Sequence, residues 1–172
     1  MADNSENKPN TLQPHLDTVP RPGQTYIIRH SVSHRQVTLI EGILCLERHM
    51  GDQGGYHWEC IETNGWLGFR NPSDHLHIGG EYEFYGPHNE YQQSQNLGET
   101  FGRPVAQERS HMKDAYLTVR GHQEGGQILL VKFGDRLLKM AVEDDEHKLC
   151  WTDKDGPAWE FVNILAPSHR DT

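Results

Sequence analysis

From Gln24 onward the chain is a succession of short apolar or alternating runs, each closed by glycine or a polar turn. Nowhere do its apolar residues keep an i, i+3, i+4, i+7 spacing over three helical turns, so a helical domain is excluded and an all-β one remains. The runs predict strands at Tyr26 to His30, Gln36 to Ile40, Ile43 to Leu46, His57 to Glu62, Trp66 to Arg70 and His75 to Ile78. They continue at Val105 to Arg109, Tyr116 to Arg120, Ile128 to Phe133, Arg136 to Val142, His147 to Thr152 and Trp159 to Ile164. Turn chemistry marks the boundaries at Glu41-Gly42, Asn64-Gly65, Asn71-Pro72-Ser73-Asp74, Gly125-Gly126, Gly134-Asp135 and Asp155-Gly156-Pro157. Short strands at this spacing suit a barrel or a sandwich.

An internal repeat narrows the choice. An aromatic-led strand occurs as His57-Trp58-Glu59-Cys60-Ile61, as Ala115-Tyr116-Leu117-Thr118-Val119 and as Ala158-Trp159-Glu160-Phe161-Val162. The intervals between Trp58, Tyr116 and Trp159 are 58 and 43 residues, which fits three four-stranded units with extra length in the middle one. Three such units around a pseudo-threefold axis make a β-trefoil, a barrel capped by hairpins that leaves few sheet edges exposed. In this reading Trp58, Tyr116 and Trp159 are equivalent bulky plugs of the barrel core. Trp66 and Trp151 fall on a different face of their strands, which leaves them candidates for exposure.

The run Trp58-Glu59-Cys60-Ile61-Glu62 followed by Gly65-Trp66-Leu67-Gly68-Phe69-Arg70-Asn71-Pro72, with the closing Ala158-Trp159-Glu160-Phe161-Val162, resembles small fungal fascin-like or actin-cross-linking-like β-trefoil proteins. The likeness spans about Tyr26 to Ile164. It implies an architecture, since the wider trefoil class includes lectins, actin bundlers, cytokines and inhibitors, and it implies no set of catalytic residues. Actin bundling fits poorly: it needs two binding surfaces, and a lone acidic domain offers little to an acidic filament.

Residues 1–23 carry Pro9, Pro14, Pro20 and Pro22 without periodicity and read as an extended or disordered arm. The trefoil domain is expected over residues 24–166, with a tail over 167–172. Only 34% of residues are apolar, and no apolar run approaches the ~18 residues of a membrane span. The start, Met1-Ala2-Asp3-Asn4-Ser5, lacks the basic and apolar regions of a signal peptide, so a soluble, cytoplasmic protein with no membrane partner is expected. A formal charge of -9 is the wrong sign for a polynucleotide partner. Cys45, Cys60 and Cys150 are widely spaced in apolar runs and read as buried thiols.

Two places could carry chemistry. His75 and His77, placed on a strand, would share one face; no third ligand follows in the sequence, so no metal is assigned, but imidazoles near neutrality suit proton transfer. The segment from Gly79 to Arg103 is the insertion of the middle unit, and long loops in compact domains are usually functional or disordered. It holds Tyr82, Phe84, Tyr85, Tyr91 and Phe101 among amides and carboxylates, and five aromatic rings are costly to leave in water. With Trp66 these rings form the candidate ligand-binding set. Glu81 and Glu83 alternate with Tyr82 and Phe84, so an extended segment would put both acids on one face. Together with His30, His75 and His77 they form the candidate catalytic set.

No dinucleotide fingerprint, P-loop or nucleophile elbow occurs, and no cofactor is expected. The sequence therefore reads as a recognition module that binds a small polar aromatic ligand, a glycan or a protein through trefoil loops. The alternative is a cofactor-independent isomerase, cyclase or dehydratase of fungal secondary metabolism, using histidine and carboxylate acid–base catalysis.

Overall fold

The computed structural model describes residues 19–49, 55–80, 104–107, 115–145 and 147–164, and every structural statement concerns these. Within them lie twelve strands: β1 (Thr25–His30), β2 (Gln36–Ile40), β3 (Ile43–Glu47), β4 (Trp58–Thr63), β5 (Trp66–Arg70) and β6 (His77–Gly80). They continue with β7 (Pro104–Gln107), β8 (Leu117–Gly121), β9 (Gln127–Phe133), β10 (Arg136–Val142), β11 (Leu149–Thr152) and β12 (Trp159–Asn163). Each predicted run is a strand, shifted at most a few residues at its ends. No helix among the described residues is long and apolar enough to cross a membrane.

Pairing closes a ring. β1 pairs with β4, β4 with β5, β5 with β8, β8 with β9, β9 with β12, and β12 again with β1, all antiparallel. The other strands form the hairpins β2–β3, β6–β7 and β10–β11, whose second strands lie against one another as a cap. This is a β-trefoil of three four-stranded units, β1–β4, β5–β8 and β9–β12. The middle hairpin carries the insertion: Gly80 pairs with Pro104, so the chain leaves and re-enters at paired positions. Two-residue turns with both residues left-handed, Glu41-Gly42 and Asn64-Gly65, close hairpins as their sequence predicts.

Register fixes the internal equivalences. Tyr26 faces Trp58, Leu67 faces Leu117, and Gln127 faces Trp159, each linking the first and last strands of one unit. Trp58 and Trp159 are fully buried, and their indole N–H groups donate to corresponding carbonyls, Val37 at 2.8 Å and Met140 at 3.2 Å. The third plug is Leu117, also fully buried, and not Tyr116. Tyr116 lies one residue before β8 and points the other way, stacked on Trp66 with ring centroids 5.9 Å apart and planes 5° from parallel. A strand alternates faces at every residue, so a one-residue offset exchanges core for surface. Trp151, a candidate for exposure, is fully buried.

The histidine pair is also placed differently from its expectation. β6 begins at His77, while His75 sits exposed in the preceding turn with a left-handed φ of 59°. Strand alternation does not reach it, and His77 is buried, so the two imidazoles do not share a face. The reason is a tight turn that starts at Asn71: its N–H donates to Leu76 O at 2.8 Å, and its side-chain oxygen accepts from the N–H groups of Ser73 and Asp74.

Candidate functional site

The β1–β2 turn repeats that construction in the first unit. His30 N–H donates to Arg35 O at 2.8 Å, and His34 holds a left-handed φ of 57° at the place of His75. Here His30 replaces Asn71, its Nδ1 accepting the Ser33 N–H at 3.1 Å. Behind the turn Arg29 grips Glu160, with Nε and Nη2 both 2.6 Å from one carboxylate oxygen, and His34 Nδ1 is 3.8 Å from that oxygen. The His30 ring packs edge-on against Trp159 at 5.6 Å, so the turn is fastened to a core plug.

Beside this turn lies an open groove of about 500 Å³. Three stretches far apart in sequence wall it: Ser31 and Val32 of the β1–β2 turn, His122, Glu124, Gly125 and Gly126 of the β8–β9 turn, and Pro157, Ala158 and Glu160 around the start of β12. Backbone bonds bring them together. Ser31 N–H donates to Ala158 O at 3.1 Å, and the β8–β9 turn is closed by His122 N–H to Gly126 O at 3.0 Å. Inside that turn His122 Nδ1 accepts the Glu124 N–H at 3.1 Å, so the neutral ring carries its proton on Nε2 and keeps a donor. The groove thus offers the carboxylates of Glu124 and Glu160, an imidazole and a hydroxyl, beside the apolar surfaces of Val32, Pro157 and Ala158. Val32 is 80% exposed and adds apolar surface to the groove's edge.

Gly126 allows the close approach. Its φ is +75°, and a Cβ there would lie 3.0 Å from Trp159 O. Gly126→Ala is expected to lower stability by about 1–3 kcal/mol in urea titration, since strain and contact act together.

Of the residues nominated from sequence, His30 supports the first-unit turn, whereas His75 lies in the second-unit turn and His77 opens β6. The proposed catalytic histidines are therefore divided between two units. Trp66 is half-buried, stacked on Tyr116 and with the Lys132 ammonium 5.8 Å from its ring centre. Glu81, Glu83, Tyr82, Phe84, Tyr85, Tyr91 and Phe101 lie outside the described residues. Sequence reasoning missed Ser31, His122, Glu124 and Glu160. One signal could have found the last: Trp-Glu opens both β4 and β12, and each glutamate holds an arginine of the strand that follows across the sheet. Among the described residues no group of three or more His, Cys, Asp or Glu could hold a metal ion.

No protein-family model matches this sequence, and no curated protein matches it. Solved structures do. The ricin B-like lectin of Macrolepiota procera, solved in complex with lactose, aligns at TM-score 0.57 and 15% identity over 85% of this chain and 98% of that one. The Rhizoctonia solani agglutinin aligns at TM-score 0.57 and 14% identity, over 86% of this chain and 100% of that one. SeviL, solved bound to the asialo-GM1 saccharide, aligns at TM-score 0.55 and 9% identity, over 87% and 100%. Identities this low establish the shared β-trefoil fold. Two of the three are named as a ricin B-like lectin and an agglutinin, and none is named as fascin-like.

Proposed function

We propose that this chain is a glycan-recognition module that holds a neutral, hydroxyl-rich ligand in the groove between its first and third units. The observation that carries the reading is the groove's composition: Glu124, Glu160, His122 and Ser31 beside Val32, Pro157 and Ala158. A carboxylate accepts from two neighbouring hydroxyls at once, an imidazole N–H donates to a third, and apolar side chains suit the C–H face of a sugar ring. The Glu124 carboxylate disfavours an anionic sugar, while the charge of Glu160 is balanced by Arg29. The fold shared with lectins supports the reading by analogy. Fascin-like kinship and fungal metabolite chemistry rest on the sequence resemblance alone, and the groove does not require them. The rings of residues 82–101 and Trp66 remain a second proposed contact surface for the same ligand.

The test is an array of neutral glycans that includes lactose and the asialo-GM1 saccharide. At least one should be retained. Glu124→Ala and His122→Ala should each weaken it by about tenfold or more, the first without changing the melting temperature and the second with only the small drop that follows from losing the Glu124 N–H bond. An array on which no neutral glycan is held, or binding indifferent to both variants, would refute the proposal.

A further inference from the structure

The β8–β9 turn, the β1–β2 turn and the turn after β5 are closed in the same way, by a side-chain acceptor that takes a backbone N–H two or three residues further on. At Asn71 the acceptor is an amide oxygen, which receives the N–H groups of Ser73 at 3.0 Å and Asp74 at 3.2 Å. At His122 it is Nδ1, which receives the Glu124 N–H at 3.1 Å. At His30 it is Nδ1 again, which receives the Ser33 N–H at 3.1 Å. An amide oxygen accepts at every pH, whereas an imidazole nitrogen accepts only while it carries no proton. Among the described residues, the two turns that wall the groove use the titrating acceptor, and the Asn71 turn, which does not line it, uses the fixed one.

The two histidines respond differently to a proton. Ser33 Oγ lies 2.9 Å from His30 Nδ1, so a protonated His30 still meets an acceptor there and its turn exchanges one bond for another. At His122 the partner of Nδ1 is the Glu124 N–H, and a second proton sets one donor against another across 3.1 Å. The β8–β9 turn must then open at Glu124, one of the groove's two carboxylates. The ring is half-buried, and the charged groups around it are Glu124 in its own turn, Glu160 on β12 and the exposed Arg120 on β8. Glu160 is already held by Arg29, and its oxygen is 3.8 Å from His34 Nδ1. An imidazolium at His122 draws the Glu124 carboxylate toward itself, and one at His34 does the same to Glu160. Both acceptors are then taken by cations and turned away from ligand hydroxyls. The Nε2–H donor of His122 exists in either form, so its loss is not the cause.

We infer that neutral His122 is the positioning residue for Glu124, and that its protonation releases the glycan, so the groove holds its ligand near neutrality and lets go in acid. The inference rests on the reading of the groove as a glycan site. Because the bound form excludes one proton, affinity should fall by up to about tenfold per pH unit once the ring titrates, and bound glycan should in turn oppose protonation.

The experiment follows the Glu124 amide and the His122 ring by NMR as the full chain is taken from about pH 7.5 to about pH 5, with affinities for lactose and the asialo-GM1 saccharide measured at both ends. The amide should move in step with the ring, and affinity should drop about tenfold or more. His122→Asn supplies the fixed acceptor found at Asn71. It forfeits the Nε2–H donor and binds more weakly at the upper pH, but the ratio of its two affinities should fall to near one. His30→Asn and His34→Gln should keep most of the ratio. A Glu124 amide that stays still while the His122 ring titrates overturns the positioning role, whatever the sugars do. An amide that moves while affinity is equal at both ends overturns acid release and leaves the glycan reading standing, as does an undiminished ratio in His122→Asn. Neither sugar held at the upper pH overturns release together with the glycan reading, while an amide that tracks the ring still keeps His122 as the residue that positions Glu124.

Discussion

Trp58→Ala should cost about 3–5 kcal/mol of unfolding free energy, a large part of what a domain of this size has to spare. Three effects combine. The indole is fully buried, so its removal leaves a cavity bounded by residues of a closed ring that can collapse only partly. It donates to Val37 O at 2.8 Å, so truncation also leaves a buried carbonyl without its partner. Finally it links β4 to the β2–β3 hairpin, so barrel and cap loosen together. Trp159→Ala should behave alike, because Met140 O is its counterpart in the third unit. Tyr116→Ala should cost markedly less, since that ring lies on the outer face against Trp66. Urea titration of the three variants decides the matter: equal losses at all three positions would contradict the assignment of Leu117 as the third plug.

The thiols supply the second large effect. Burial pushes Cys60 up to about 12 and Cys45 and Cys150 up to about 11, with Glu62, Glu47 and Glu143 adding smaller contributions in the same direction. Only the thiolate attacks an alkylating reagent, so relative to a free thiol near 9 the reactive fraction at pH 8 falls on the order of 1000-fold for Cys60 and 100-fold for the others. Native protein should therefore resist iodoacetamide and label fully in urea. The same shifts give a direction to alkaline stability. An unfolded thiol releases its proton near 9 and the folded one only near 11 to 12, so the folded state binds more protons in between. Stability contributed by the neutral thiols, Cys60 and Cys150 buried and Cys45 only half-buried, is complete below pH 9 and is lost as pH rises through 11 to 12. Native labelling as fast as that in urea would show these side chains to be open.

The strands were legible because alternation is a local signal that packing does not reverse. β2, β5 and β10 carry the predicted boundaries, and the others shift by small amounts where a turn residue pairs or fails to pair. The repeat was legible through Trp58 and Trp159 but misaligned in the middle. In Ala115-Tyr116-Leu117 the larger ring drew attention from the residue whose register puts it inside. His75 was misplaced because nothing in a histidine announces a left-handed φ; Asn71 four residues earlier, capping the turn, sets it. The groove was illegible for a different reason. Ser31, His122 and Glu160 meet only through barrel closure, and no local pattern carries that information. What the sequence did contain was the duplicated Arg-to-Glu pairing, Arg29 with Glu160 and Arg70 with Glu59, across two of the three junctions between units, readable only after the strands are in register.

The direct pairing of Gly80 with Pro104 has a consequence for how such a chain can change over time. Since the two strands of the middle hairpin are already paired at Gly80 and Pro104, the staves of the barrel need not register how many residues are spliced in. Doubling the length of such a connection costs only about 0.6 kcal/mol in closure entropy. This corner of the molecule is a port through which new sequence can be admitted while the frame stays fixed.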